Sequence, residues 1–378
     1  MQYFKPYFYE RLNATNHIEI PRHLFPSWLK NKDIATLIKW KQMFFNGNKI
    51  PTHILVNRVD AMGDVILALP VCGLIKKHFP ECKVSFLGRT YTKSVALSSI
   101  HVDAFINADD WAHMTHDQIR ILLRENKVDT VIHLLPDKPT IIACKKAGIR
   151  IRVGAINRII YWLNCNRLVF VSRKKSRLSE AQLNIKLLGA LNIKERPDRN
   201  ELYKYYGFTR LPKLEESNKK LLDPHKINLI IHPLSNKNAK EWGLHNFSAL
   251  VNLIDKERFK IFITGSEKEK KALTSWLVQH KNEATDLTGT LDLDQLIAFI
   301  AAADGLIASS TGPVHVAAAA GINTLGLYEN RWAKRAERWG PIGKKADFLE
   351  CAREDMDSIT ADMVYEKISK WKPAAQLT

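Results

Sequence analysis

Residues 305–321 read GLIASSTGPVHVAAAAG: an apolar run, a hydroxyl-rich turn, a proline, then small residues closed by a glycine. The run Gly305–Ala308 is short enough for a buried strand. Pro313 suits the first turn of a helix, where its missing N–H costs nothing, and Gly321 suits the helix end. A strand, a glycine turn and a helix start form a ready anion site, because free N–H groups and the helix dipole both point at the turn. A diphosphate at Ser310, Thr311 and Gly312 is the obvious guest. His315, one turn in, has two readings: a group reaching the same place or the opposite side of the cleft, or a satisfied helix histidine. The GxxxxGK[ST] spacing of a P-loop is absent.

The same alternation extends outward. Apolar runs at Ile54–Val56, Val84–Leu87, Ala104–Ile106, Thr130–Leu134 and Ile151–Val153 are separated by amphipathic stretches of helical length. A second series follows at Asn228–His232, Phe259–Thr264, Gly305–Ala308 and Thr324–Tyr328. Between the two series, Pro197, Gly207, Pro212 and Pro224 stand in a charged stretch that suits a connection. The pattern predicts an α/β protein of two Rossmann-like domains with parallel sheets, residues 51–200 and 225–345, joined by a linker at 201–224. A basic, aromatic extension at 1–50 precedes them, with eight Lys/Arg against three Asp/Glu, and a helical segment at 346–378 follows. Ligands of such sheets lie at the carboxyl ends of the strands, so the chemistry is expected in the cleft between the domains.

Two further motifs fall at strand ends. Asn57 to Asp64 follows the first run and opens a helix expected from Val65 to His78, kinked at Pro70. Asp64 at its start is either an N-cap or a general base aimed at a substrate hydroxyl. His232 to Trp242 leaves the second domain's first strand as a polar loop containing Ser235, Asn236 and Lys240, and a lysine there can neutralise a leaving diphosphate. Asp292 with Asp294, and Asp355 with Asp357, have the DxD spacing of metal-using sugar transferases, but they read as acids at helix starts and no metal site is expected.

The 378 residues carry a net charge of +18, which points to acidic partners. The charge concentrates between Lys145 and Lys186, where eleven Lys/Arg face the single acid Glu180, interleaved with Ile159, Ile160, Tyr161, Trp162 and Leu163. That block suits an anionic acceptor or a membrane face. Five scattered cysteines without metal spacing read as reduced thiols, and no signal peptide or transmembrane run is expected, which together predict a cytoplasmic protein.

With these motifs the chain resembles the heptosyltransferases, glycosyltransferase family nine, which build the inner core of bacterial lipopolysaccharide. The resemblance spans Ile54 to Tyr328 and is carried by three places: Ile54–Val65, His232-Pro233 through Lys240 and Trp242, and Ser310–His315 with its Ala-rich helix. Glu180 to Asn184 followed by Leu187-Leu188 resembles a recurrent segment at the end of the first domain. The resemblance implies a GT-B fold with a central cleft and a metal-independent, inverting transfer. Asp64 matches the catalytic carboxylate and Lys240 the lysine on the diphosphate, in a donor loop that includes Ser235 and Asn236. Thr311, Gly312 and His315 match the donor turn, and Glu269 the carboxylate on the donor ribose. It implies a nucleotide-diphosphate sugar such as ADP-heptose as donor substrate, with no separate cofactor. The implied acceptor is a phosphorylated or Kdo-bearing glycolipid at an anionic inner-membrane surface, and nucleic acid is not an expected partner. Ser310 departs from the Asp that many members carry before Thr/Ser-Gly-Pro, which leaves the donor sugar open. Three alternatives remain: a nucleotide-sugar epimerase on the same fold, a basic nucleic-acid-binding protein, and a member that binds donor without turnover.

Overall fold

The computed structural model describes residues 50–174, 176–235 and 239–373; the extension expected at 1–50 lies outside them except for its last residue, as does Asn236. The first half contains strands β1 (His53–Asn57), β2 (Lys83–Gly88), β3 (Ala104–Asn107), β4 (Thr130–His133), β5 (Ile151–Ala155) and β6 (Arg167–Val169). Its helices are α1 (Met62–Ile66), α2 (Leu69–His78), α3 (Lys93–Leu97), α4 (His116–Glu125), α5 (Lys138–Lys146), α6 (Ile159–Asn164) and α7 (Glu180–Ile185). A 3-10 stretch at Arg199–Tyr205 and α8 (Glu216–Lys219) lead to the second half. There β7 (Ile227–His232), β8 (Phe259–Ile263), β9 (Ala284–Asp286), β10 (Gly305–Ser309), β11 (Asn323–Tyr328) and β12 (Ala346–Glu350) alternate with α9 (Leu244–Leu253), α10 (Glu267–Gln279), α11 (Leu293–Ala302), α12 (Gly312–Ala320) and α13 (Ala336–Trp339). Helix α14 (Ala361–Ile368) ends the described chain.

Each half is one six-stranded sheet with parallel neighbours, ordered β3-β2-β1-β4-β5-β6 and β12-β11-β10-β7-β8-β9. Read from its far edge, the second order repeats the first. Strand order therefore reverses beside β1 in one sheet and beside β7 in the other, and the loops leaving those strands open onto the crevice. Helices cover both faces of each sheet, so the central strands are buried throughout and read as continuous apolar runs: every residue of β1 and of β7 is buried. The helix starts are locally encoded. Thr115 with Gln118, Ser179 with Gln182, and Ser266 with Glu269 form reciprocal capping boxes. Gly321 closes α12 at φ 84°, a conformation that favours glycine.

The structure alters several expectations. The long helix expected over Val65–His78 is two helices, because Pro70 has no N–H to continue the first and instead stands in the opening turn of α2. The segment expected to be helical from 346 begins with β12, which pairs with β11 from Ala346 to Glu350. The start of the expected linker is packed rather than free: a Cβ on Gly73 of α2 would lie 2.2 Å from the Tyr205 carbonyl oxygen. The two halves also share a hydrophobic cluster that includes Ile54 and Val65 from the first and Ile230, Phe299 and Val314 from the second. All five cysteines are buried and outside any disulfide, and no described helix is long and apolar enough to cross a membrane.

Alanine in place of a glycine inside a helix normally stabilises by roughly 0.5–1 kcal/mol. At Gly73 the sign reverses, because the new methyl meets backbone that cannot swing away. Gly73→Ala is expected to destabilise the protein by about 1–3 kcal/mol, the usual cost of overpacking, measured by denaturant unfolding.

Candidate active site

The first-domain half of the site starts where β1 ends. Arg58 is buried, 3% exposed, and its guanidinium has carboxylates as its main company. It lies 3.3 Å from Asp60 and 3.4 Å from Glu180, and it also pairs with Asp64. Asp64 is not the N-cap of α1: that place belongs to Ala61, which makes no side-chain bond, and Asp64 lies inside the first turn. Its carboxyl is pushed above the usual carboxylate range, chiefly by burial, with Arg58 pulling the other way and Asp60 adding to the rise. A raised carboxyl at a cleft rim suits proton abstraction better than a fully stabilised carboxylate does.

Gly63, one residue earlier, has an ordinary φ. What it supplies is proximity: a Cβ there would fall 2.7 Å from the His315 ring. The reciprocal contact is at Gly312, where a Cβ would meet the Met62 sulfur at 2.9 Å. Helices α1 and α12, from different domains, thus touch through glycines.

The second-domain half gathers at the ends of β7, β8 and β10. His232 Nδ1 is 2.9 Å from the Thr264 hydroxyl. Ser235 is buried, and its N–H donates to Glu241 at 2.7 Å. Glu269 accepts from the Ser266 N–H at 2.7 Å and hydroxyl at 2.8 Å, so it caps α10 while facing the crevice. Thr311 is the N-cap of α12 by backbone, but its side chain makes no capping bond. Ser310 lies beside the Tyr328 phenol, whose hydroxyl donates to the Trp339 carbonyl at 3.1 Å.

These two halves enclose a cavity of about 410 Å³. Ala61, Met62, Gly63 and Tyr91 line one side; Ser235, Glu269, Thr311, Gly312 and Pro313 line the other. A patch of Leu287, Leu291, Leu293 and Leu296 forms an apolar end suited to a flat ring. A second depression of about 460 Å³, beside Val278, His280 and Lys281, contains none of the motif residues and takes no residue from the first domain.

Of the residues expected from sequence, Ser235, Glu269, Thr311 and Gly312 therefore meet around one cavity, with Asp64 next to its wall. Others stand apart from the lining. Lys240 is exposed and donates to the Glu354 carbonyl, in a turn where Arg353 and Glu354 have φ of 50° and 60°. His315 is buried, and its ring packs against Gly63 at the domain contact. Of the two DxD pairs, Asp292 caps α11 and Asp355 caps a 3-10 turn, as acids at helix starts do. Sequence reasoning did not assign Arg58, Glu180, His232, Thr264 or Tyr91 to the site. Arg58, Glu180 and His232 stand in quoted segments without a role of their own, and Ser266, beside the assigned Glu269, carried the capping-box spacing.

The family model described as Glycosyltransferase family 9 (heptosyltransferase) matches residues 176–368, just over half of the chain. A Haemophilus influenzae protein named as a glycosyltransferase is 25% identical over 76% of this chain and 86% of its own length. The lipopolysaccharide core heptosyltransferase OpsX of the same organism is 22% identical over 74% of this chain and 79% of its own length. The solved structure of Escherichia coli ADP-heptose lipopolysaccharide heptosyltransferase II superposes with a TM-score of 0.68 at 18% identity, covering 84% of this chain and 97% of that one.

Burial and the nearby Arg199 hold His315 neutral down to about pH 4, against an ordinary value of 6.5. The unfolded chain therefore binds a proton between pH 6.5 and 4 that the folded chain refuses, so the stability this site contributes is complete above 6.5 and lost as pH falls toward 4. Each unit of difference is worth about 1.4 kcal/mol. His315→Gln is expected to lose less stability than wild type between pH 7.5 and 5, read by urea unfolding at both pH values. An equal loss would mean that His315 is not held neutral by burial.

Proposed function

This chain belongs to glycosyltransferase family 9 and is a glycosyltransferase, and from that premise we propose that it moves heptose from ADP-heptose onto an inner-core lipopolysaccharide-type acceptor, inverting the anomeric centre. The reading is carried by one observation: the cavity of about 410 Å³ has the uncapped start of α12 and Glu269 on one wall, and on the other the residues leading directly into Asp64. The donor diphosphate lies against the first turn of α12, where unpaired N–H groups and the helix dipole favour an anion. Lys240 turns from the Glu354 carbonyl toward the leaving diphosphate and adds positive charge. The nucleoside occupies the leucine-walled end, with its ribose toward Glu269. Asp64 takes the proton of the acceptor hydroxyl as that oxygen attacks the anomeric carbon from the face opposite the diphosphate. General-base help of this kind is worth roughly 10²–10⁴ in rate. Ser310, beside Tyr328 where many family members carry Asp, removes a negative charge from beside the diphosphate.

The acceptor lipid supplies the second partner. Much of the basic block is used internally: Arg152 donates to the Asn164 carbonyl at 2.7 Å and Arg173 to Glu180 at 2.8 Å. What remains exposed is Lys146, Arg158, Lys174 and Arg177, with Ile159 at 56% and Leu163 at 64% exposure on α6. Basic residues around exposed apolar ones are the composition of an anionic membrane contact.

Thermal melts with ADP, UDP, GDP and CMP are expected to show stabilisation by ADP above the others, reduced in Lys240→Ala. No shift with any nucleotide would sink the donor assignment, and an ADP shift without transfer to any acceptor would leave a donor-binding protein without turnover. Sedimentation with phosphatidylglycerol vesicles is expected to exceed that with phosphatidylcholine and to fall in the Ile159→Asp, Leu163→Asp double variant. Equal sedimentation of variant and parent would remove α6 from the membrane contact.

A further inference from the structure

Glu180 opens α7, where a first-turn glutamate is ordinarily an exposed partner of the helix dipole. Here it is 1% exposed and surrounded by three arginines. Its Oε1 lies 2.8 Å from Arg173 Nε and 3.4 Å from Arg58 Nη1, and its Oε2 lies 3.1 Å from Arg338 Nη2. Arg338 comes from α13 in the second domain, 158 residues away, and also donates to the Arg173 carbonyl at 3.2 Å. The neighbouring contacts repeat this crossing. Arg335 donates to the Ser176 carbonyl at 3.0 Å and Trp332 to the Lys174 carbonyl at 2.7 Å. One buried carboxylate therefore joins the two domains, and its third arginine, Arg58, uses its other nitrogen on Asp64.

We propose that Glu180 is a positioning residue for the transfer: it holds Arg58, the arginine that orients Asp64, and when the second domain delivers Arg338 to the same carboxylate that hold is eased and Arg58 is released further toward Asp64. This inference rests on the reading of Asp64 as the general base. A single first-domain pair would hold Arg58 whether or not the domains were together. Sharing Glu180 with Arg338 makes the strength of that hold depend on the domain contact, so the base is set when the cleft is assembled. Burial alone would raise the Glu180 carboxyl, but Arg173, Arg58 and Arg338 outweigh it and hold it below the usual range, ionised. The charged and titratable groups around Asp64 are Arg58 and Asp60 from the loop after β1, Glu180 from α7, Tyr91 from the segment after β2, and His315 from α12 against the adjoining Gly63.

Two substitutions act on the clamp with opposite electrostatic sign. Glu180→Gln keeps an acceptor but removes a negative charge, which leaves Arg58 to Asp64 and Asp60 and lowers the pH at which Asp64 titrates. Arg338→Met removes a positive charge, which draws Arg58 toward Glu180 and raises it. The assay is release of ADP from ADP-heptose with a Kdo-bearing lipid A acceptor, against pH, on variants whose folding is checked by thermal melt. The expected result is a loss of roughly ten- to a hundredfold in kcat with the donor KM held, the scale on which misplacing a catalytic group costs rate. The acid limb of kcat is expected to move down in Glu180→Gln and up in Arg338→Met. An acid limb at the wild-type position in the folded variants would overturn the proposal and leave Glu180 a structural ion pair. Should Glu180→Gln fail to fold, Arg338→Met alone decides. Asp64→Asn separates the two ideas: full activity there, or no wild-type turnover, defeats the reading of the reaction itself. An inactive Asp64→Asn with unmoved limbs defeats only the clamp.

Discussion

The architecture of the site depends on two helices approaching so closely that each must present a glycine to a side chain of the other. Helix α1 meets α12 at Gly63 and Gly312, against the His315 ring and the Met62 side chain respectively, and a methyl group at either glycine would fall within 3 Å of its neighbour. Because α1 follows β1 and α12 follows β10, this contact brings the carboxyl ends of both sheets to one crevice. Parallel sheets make that possible: each strand delivers its exit loop to the same edge, so the polar loops collect there while the strands stay apolar.

Burial then shapes the electrostatics. Arg58, Glu180 and Asp64 all lie largely out of water, where an unpaired charge is costly and a paired one still carries a desolvation penalty. Each finds opposite charges, but not equally. Glu180 has three arginines and ends below its ordinary range; Asp64 has one, shared with Asp60 and Glu180, and ends above it. The same functional group, a carboxylate, thus takes two protonation behaviours within one network, through the number of guanidinium groups each one commands.

Most of the fold was legible because its central strands are buried on both faces. Ile54–Val56, Asn228–His232 and Gly305–Ala308 stand out as apolar runs for that reason. The strands left unseen, β6, β9 and β12, lie at sheet edges and are only partly buried; Ala284–Asp286 and Ala346–Glu350 mix polar with apolar residues, and Arg167–Val169 is only three residues long. The break between α1 and α2 was readable at Pro70 as a disturbance but not as a complete restart. At the site, the turn at Thr311 and Gly312 and the loop with Ser235 were legible as strand exits. The capping of Glu269 by Ser266 was written in their spacing. Arg58 with Glu180 was not, since 122 residues separate them and neither side chain marks the other.

The sequence by itself determined the local items: two series of βα units, the helix starts, the glycine turn at Gly312, and the motifs of glycosyltransferase family 9. These follow from periodicity and backbone preference over a few residues. Only the tertiary structure decided that Gly63 lies against His315, that Asp64 is no cap, that Lys240 rests on the Glu354 carbonyl, and that much of the basic block is used internally. The reason is physical. A charge's role depends on what desolvates it and which opposite charges reach it, and here two of the deciding pairs, Arg58 with Glu180 and Arg338 with Glu180, span more than a hundred residues.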